Sequence, residues 1–359
     1  MRLVCLLAAL LLSGCETLSY YGKGVAGQVR FYGAREPIPE VLERNDLDAD
    51  VRRRLQLVPE IRAFAKKELQ LPVEGQYRDY VQLDSPNVAW NVFAAPELSL
   101  DPYRWCYLLR TLCMEYRGYF SQADARAYAD KLAANGYDTH VGGVSAFSSL
   151  GLLDDPVTSV LTSYPDDVMA LVLFHELAHA VLYVQDDTGF NESFAEAVAE
   201  EGLRRWLRAR GQPSGSSELA GMRARQELLT DTALAARGQL AVLYGSALDD
   251  AEKRRRKTDI LQAARTDFER RCQSLPAGAR ACEYAGWFGP GLNNARLNAV
   301  ATYQHRVPAF TALLRAHATP EQPDGDLAKF FRTVKALGKM PPDERTAVLQ
   351  ALAAGVSAP

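Results

Sequence analysis

The stretch Leu171-Val-Leu-Phe-His-Glu-Leu-Ala-His-Ala-Val-Leu182 constrains this chain more than any other. It is apolar apart from His175, Glu176 and His179, so it reads as a buried helix that carries three polar side chains inward. Residues four apart lie one turn above each other, which lets His175 and His179 offer two imidazole nitrogens to one metal ion. Glu176 then falls beside the ion, where it can take a proton from a water. The bland alternative is a pair of hydrogen-bonded core histidines. Against it, the whole chain has only five histidines, and two of them flank this glutamate.

A third ligand is expected in Asn191-Glu-Ser-Phe-Ala-Glu196. Twelve residues lie between His179 and Glu192. That is enough to end one helix, turn through Gln185-Asp-Asp-Thr-Gly189 and return antiparallel, and Asp186, Asp187 and Gly189 are turn residues. Glu192 would complete a site of two histidines and one carboxylate for a single Zn²⁺, with a fourth position open. Glu196, one turn further on, is expected to accept the free ring N–H of a zinc-bound histidine, or else to be a solvated carboxylate.

HELAH followed by NESFAEA resembles the gluzincin metallopeptidases, whose third ligand is a glutamate on the next helix, and NESFA is similar to the NEGFA stretch of zinc aminopeptidases. The gap is shorter than is usual in thermolysin-like and aminopeptidase-N-like enzymes, so the connection must be a minimal turn. The three-histidine metzincin pattern is excluded, because Leu182 and Gln185 stand where its glycine and third histidine would be. More of the chain resembles a bacterial family of predicted zinc aminopeptidases that are also lipoproteins. The residues that carry this likeness are Trp105-Cys106 with Cys113, Tyr116-Arg-Gly-Tyr-Phe120, Ser145-Ala-Phe-Ser-Ser-Leu-Gly151, and Asn293-Asn-Ala-Arg-Leu297 with Thr302-Tyr303.

The resemblance implies zinc-dependent hydrolysis of peptide bonds with Glu176 as the base. An aminopeptidase is the first expectation, and an endopeptidase or cell-wall peptide hydrolase the alternative. The competing class is a non-catalytic envelope lipoprotein that keeps the fold as a scaffold. A degenerate descendant tends to lose the base or a ligand, and here all four residues stand. HELAH-type sites commonly recruit a tyrosine or histidine from the downstream helical lobe for the developing oxyanion. In the polar patch of 293–305 the expected donor is Tyr303, with His305 in reserve and Asn294 holding substrate backbone.

The N-terminus reads as a targeting segment: Met1-Arg2, an apolar Leu3 to Leu12, then Leu12-Ser-Gly-Cys15. About ten apolar residues cannot span a bilayer. Leu-Ser-Gly-Cys resembles a bacterial lipobox, which implies removal of the leader, acylation of Cys15 as the only hold on the membrane and a tether over 16–33. Glu16 in place of an aspartate leans towards the outer membrane, with the protein facing the periplasm. The other cysteines outside the leader fall into two local pairs, Cys106 with Cys113 and Cys272 with Cys282, as disulfides of an oxidising compartment would. A second zinc site would prefer closer spacing.

Composition narrows the remaining choices. With 41 basic and 44 acidic residues the formal net charge is −3, so nucleic acid is not an expected partner. The run Lys253-Arg-Arg-Arg-Lys257 reads as a solvated helix face. The expected class is α+β over 34–359: a sheet-containing lobe at about 72–165, active-site helices at about 166–210, and a helical lobe at about 217–359. Leu47 to Leu71 is helical with a new segment starting at Pro59. Tyr80–Leu83, Val88–Phe93 and parts of Trp105–Tyr119 are strands, and Ser121–Asn135 is a helix. Thr139–Phe147 is a strand on whose edge a peptide can be laid, and His140 within it reads as structural. Leu292–Leu314 is helical up to Pro308, and Leu327–Ala354 holds a helix or two.

Overall fold

A buried helix pair, α5 and α6, forms the centre of the protein, with small sheets before it and helices after it. The computed structural model describes the chain except residues 1, 108–111, 147–148, 150–151, 276–281, 283, 305, 321–322 and 356–359, and for 2–15, 112 and 302–304 it describes the backbone alone. The first half runs α1 (Arg2–Gly33), β1 (Glu36–Pro37), α2 (Ile38–Glu43), α3 (Ala49–Glu68), β2 (Asp79–Val81), β3 (Ala89–Pro96), β4 (Trp105–Tyr107), β5 (Leu112–Met114), β6 (Arg117–Tyr119), α4 (Gln122–Ala133), β7 (Tyr137–Val144) and β8 (Val157–Thr158). The second half is helical: α5 (Asp166–His179), α6 (Thr188–Ala209), α7 (Ser217–Tyr244), α8 (Asp250–Cys272), α9 (Asn294–Gln304), α10 (Val307–Ala316), α11 (Leu327–Gly338) and α12 (Pro342–Ala353). The class is α+β.

α5 is buried on nearly every side. Val168, Met169, Leu173, Phe174, Leu177 and Ala178 all lie in the main core, and each large side chain there contributes roughly 1.5–3 kcal/mol. α6 returns beside α5, and the two approach closely at Gly202, where a Cβ would stand 3.1 Å from the Phe174 ring. α3 covers them with Leu55, Val58, Ile61 and Ala65. That apolar row explains why α3 continues through Pro59, where a new segment was expected: burial of the row outweighs one lost backbone hydrogen bond. Pro308 likewise does not end a helix. It sits in the first turn of α10, where a missing N–H costs nothing.

The strands form three small sheets, ordered β1-β2-β8, β6-β3-β7 and β4-β5. In the second, β3 is central and antiparallel to both neighbours, with Asn91 opposite Gly118 on one side and Gly142 on the other. Trp90, Val92 and Trp105 pack with Ala125 and Ala129 of α4 behind it. Both expected disulfides are present, Cys106–Cys113 joining β4 to β5 and Cys272–Cys282 closing the loop after α8.

Residues 16–33, expected as a tether, belong to α1 and pack on the body. The Tyr20 hydroxyl donates to the Gly118 carbonyl at 3.1 Å, Lys23 pairs with Asp124 at 2.6 Å, and Phe31 is buried. Gly27 lets the helix approach Phe120: a Cβ there would fall 2.3 Å from its ring. No helix among the described residues is long and apolar enough to cross a membrane.

Candidate metal centre

α5 delivers His175 and His179 one turn apart, and α6 brings Glu192 to meet them. The turn between the helices is short because several groups fix it. Asp186 takes a left-handed conformation, with φ of 62°. Asn191 clamps the connection, its side chain accepting from Val184 N and donating to Val184 O, both at 2.7 Å. Asp187 caps α6 by accepting from Phe190 N. The disulfide-closed hairpin holds the turn from outside, since Cys113 N donates to Asp186 Oδ1 at 2.7 Å.

The result is a convergent donor set. One ligand atom from each of His175, His179 and Glu192 lies within 4.8 Å of the other two. His175 Nε2 stands 3.3 Å from Glu192 Oε2, and its other nitrogen, Nδ1, 3.1 Å from Glu196 Oε2. His179 Nε2 is 3.6 Å from the same Glu192 oxygen, beyond hydrogen-bond range. Its Nδ1 is buried without a hydrogen-bond partner among the described residues. A core histidine is normally hydrogen-bonded, so this pairing suits a ligand better than a packing residue. His140, on β7, lies outside the cluster. It stacks on Phe93 at 6.1 Å and faces Arg296 Nε at 3.4 Å, and burial, with that guanidinium beside it, lowers its pKa to about 4.

The electrostatics favour positive charge between the helices. Burial alone would raise the Glu192 pKa, but the hydrogen bond to His175 and the close imidazole of His179 hold it down at about 2. Burial opposes a charged His175, yet Glu192 and Glu196 offset this and leave its pKa well above the ordinary value. Glu176 is pushed up, chiefly by burial. Two imidazoles and a carboxylate on adjacent helices are the donor types that a catalytic zinc ion takes, with a position left for water or substrate. The residues therefore fit the metal.

A cleft of about 440 Å³ opens over this cluster. Its opposite wall is the end of β7 and the residues that follow it, from Gly143 to Ala146, together with Asn91 and Tyr116. A larger cavity of about 740 Å³ lies between the C-terminal end of α6 and the start of α5, but its Arg53 and Arg210 are paired with Asp166 and Glu60 and no comparable donor set meets there. A family model described as "Putative aminopeptidase" matches residues 19–349. The chain belongs to that family. No curated protein and no solved structure matches it. Membership in the aminopeptidase family implies a peptidase-type hydrolase with a peptide substrate.

Two of the residues expected at the site, Asn294 and Tyr303, are not in the donor set. Asn294 is fully buried: its amide donates to the carbonyls of Pro96, Glu97 and Ser99, and its oxygen accepts from Tyr244. With both ends engaged it holds the start of α9 against the loop after β3 and has no hydrogen bond left for a substrate. Tyr303 belongs to α9, but its side chain lies outside the described residues, and so does His305. The sequence reading missed Tyr116, which lines the cleft from the turn between β5 and β6 and packs on Phe93 at 5.9 Å. Burial, then the nearby charge of Glu192, push its hydroxyl pKa up, so it stays a donor. The signal was its place in Tyr116-Arg-Gly-Tyr-Phe120, just after a disulfide hairpin.

Proposed function

We propose that this chain is a zinc-dependent peptide hydrolase of the gluzincin type, working as an aminopeptidase at the bacterial cell envelope. The observation that carries the reading is the meeting of His175, His179 and Glu192 within 4.8 Å beneath an open cleft. Bound zinc would polarise the scissile carbonyl and lower the pKa of a water towards 7. Glu176, buried beside the two histidines, takes the proton of the attacking water and passes it to the leaving nitrogen as the C–N bond breaks. Glu196 fixes the ring of His175 through Nδ1, which leaves Nε2 for the ion. Asn293 donates to the Thr139 carbonyl at 2.9 Å, so α9 closes the first half of the β7 edge and the second half runs along the cleft. An extended peptide added there brings its backbone past the donor set. The preference for a free amino terminus rests on the family description.

The envelope location rests on the Leu12-Ser-Gly-Cys15 sequence, with acylated Cys15 as the anchor, the outer membrane as the site and the periplasm as the working compartment. The two disulfides agree with an oxidising compartment.

One experiment tests the catalytic reading. The purified protein should hold about one zinc per chain, and Glu176→Gln should keep that zinc while losing hydrolysis of amino-acid amides. Hydrolysis of blocked peptides in preference to the amides would turn the assignment to an endopeptidase. Full activity in Glu176→Gln, or zinc retained equally by His175→Ala, His179→Ala and Glu192→Ala, would end the proposal.

A further inference from the structure

Through Tyr20, Lys23, Gly27 and Phe31 α1 turns one side to the body, and Tyr32 at its end donates to Asp155 while the edge of the Tyr21 ring meets Tyr107 at 6.3 Å. On the other side stand Leu18, Tyr21, Val25 and Val29, exposed to 74%, 44%, 64% and 68%. These are four of the eight most exposed large apolar side chains among the described residues, and their spacing of three, four and four residues sets them in one row. The row runs for roughly 16 Å along the helix. Scattered exposed apolar residues need no explanation, but a continuous row on one helix does.

Two observations say what covers it. Cys15 precedes Leu18 by three residues in the same helix, which puts the two positions on one side of α1. From Thr17 to Gly33 the helix has no acidic residue, so none of its side chains opposes an anionic lipid surface. An apolar row on a helix free of acidic residues and continuous with an acyl anchor is the pattern of a helix lying in a membrane interface. We propose that Leu18, Tyr21, Val25 and Val29 lie at the boundary of headgroups and acyl chains in a phospholipid bilayer. The segment after the anchor is then a docked helix that fixes the body against the membrane. This rests on the proposed acylation of Cys15. Ala89, at the start of β3, lines both the groove beneath α1 and the cleft over the donor set. The docked helix therefore holds the cleft close to the bilayer, where peptides at the membrane surface reach it first.

The test uses the full mature protein in vesicles of anionic phospholipid, with Trp introduced by Val25→Trp, Val29→Trp and, as a control on α7, Val242→Trp. The wild type, whose own tryptophans are buried or half-buried, gives the background. The mass of the N-terminal peptide reports acylation, flotation reports attachment, and quenching by lipids brominated in the upper acyl chain reports the row. Val25→Trp and Val29→Trp should show a blue shift and loss of emission that Val242→Trp and the wild type lack. An acylated protein that floats without this quenching overturns the docked helix and leaves the anchor standing. A protein that neither carries acyl groups nor floats overturns both. Quenching without acylation supports the row alone. A soluble dimer that Val25→Asp dissociates would mean that a second copy covers the row, and would also overturn the proposal.

Discussion

Glu196 Oε2 lies 3.1 Å from His175 Nδ1, on the opposite side of the ring from the Glu192 carboxylate. A carboxylate so placed fixes which nitrogen carries the proton and where the lone pair of the other points. Glu196 is only partly buried, and replacing it leaves no large void. Glu196→Ala should keep the fold and weaken zinc affinity by about 10–100-fold, as expected when the partner of a ligating histidine is lost. Competition against a chromophoric chelator measures this, and an unchanged affinity would remove Glu196 from the metal site.

Asp187 illustrates what spacing cannot reveal. It was read as a turn residue and it does cap α6, but it also pairs with Arg306 at 2.8 Å and with Arg345 at 2.9 Å. Arg345 is almost wholly buried on α12 and donates further to the carbonyls of Gly338 and Met340. The C-terminal tail thus pins the turn between α5 and α6, which carry the donor set. Removing one member of a buried pair leaves the other uncompensated, so Asp187→Ala should cost about 3–5 kcal/mol. Chemical denaturation measures this. The double variant with Arg345→Met should lose less than Asp187→Ala alone, because the stranded charge is gone.

What could be read in the sequence was local. His175, Glu176, His179 and Glu192 are spaced by helix geometry and one short turn, so their meeting follows from a few residues of chain. Tyr116 and Arg345 approach the same region from strands and helices far along the chain, and no periodicity reports that. Asn294 was misread for a physical reason: polar residues at the buried start of a helix serve loop carbonyls as readily as substrates. Residues 16–33, expected as a tether, are held as a helix by contacts such as that of Gly27 with the Phe120 ring, which comes from far along the chain and which no local pattern reports.

His140 predicts a pH dependence. Its pKa is lowered to about 4 in the fold, by burial first and the Arg296 charge second, whereas in the unfolded chain it returns to roughly 6.5. As pH falls below the unfolded value, the unfolded state binds a proton that the folded state refuses, so stability is lost from about 6.5 down to about 4. At pH 5 the loss from this residue is roughly 2 kcal/mol. Denaturation of His140→Gln at pH 7.5 and pH 5 should show a correspondingly smaller difference between the two than the wild type does. An equal difference would place the acid sensitivity elsewhere.

The donor to the developing oxyanion is the last point at which the cleft can be tested. Tyr303 is the expectation from the sequence, and Tyr116 lines the described wall of the cleft. Its hydroxyl keeps its proton over the working pH range, because burial and the nearby carboxylates both raise its pKa. A neutral hydroxyl at the cleft wall can strengthen its hydrogen bond as charge builds on the carbonyl oxygen, which is the condition for accelerating the reaction itself. Tyr116→Phe should therefore lower kcat by about 10²-fold with KM little changed, the usual result of losing one oxyanion donor. Zinc content and Tm should stay at wild-type values, since Phe keeps the ring packed on Phe93. A tetrahedral phosphonate analogue should lose affinity in the same proportion, which gives a readout besides turnover. If Tyr116→Phe leaves kcat and analogue binding intact while Tyr303→Phe lowers both, the role belongs to Tyr303 and α9 supplies the donor.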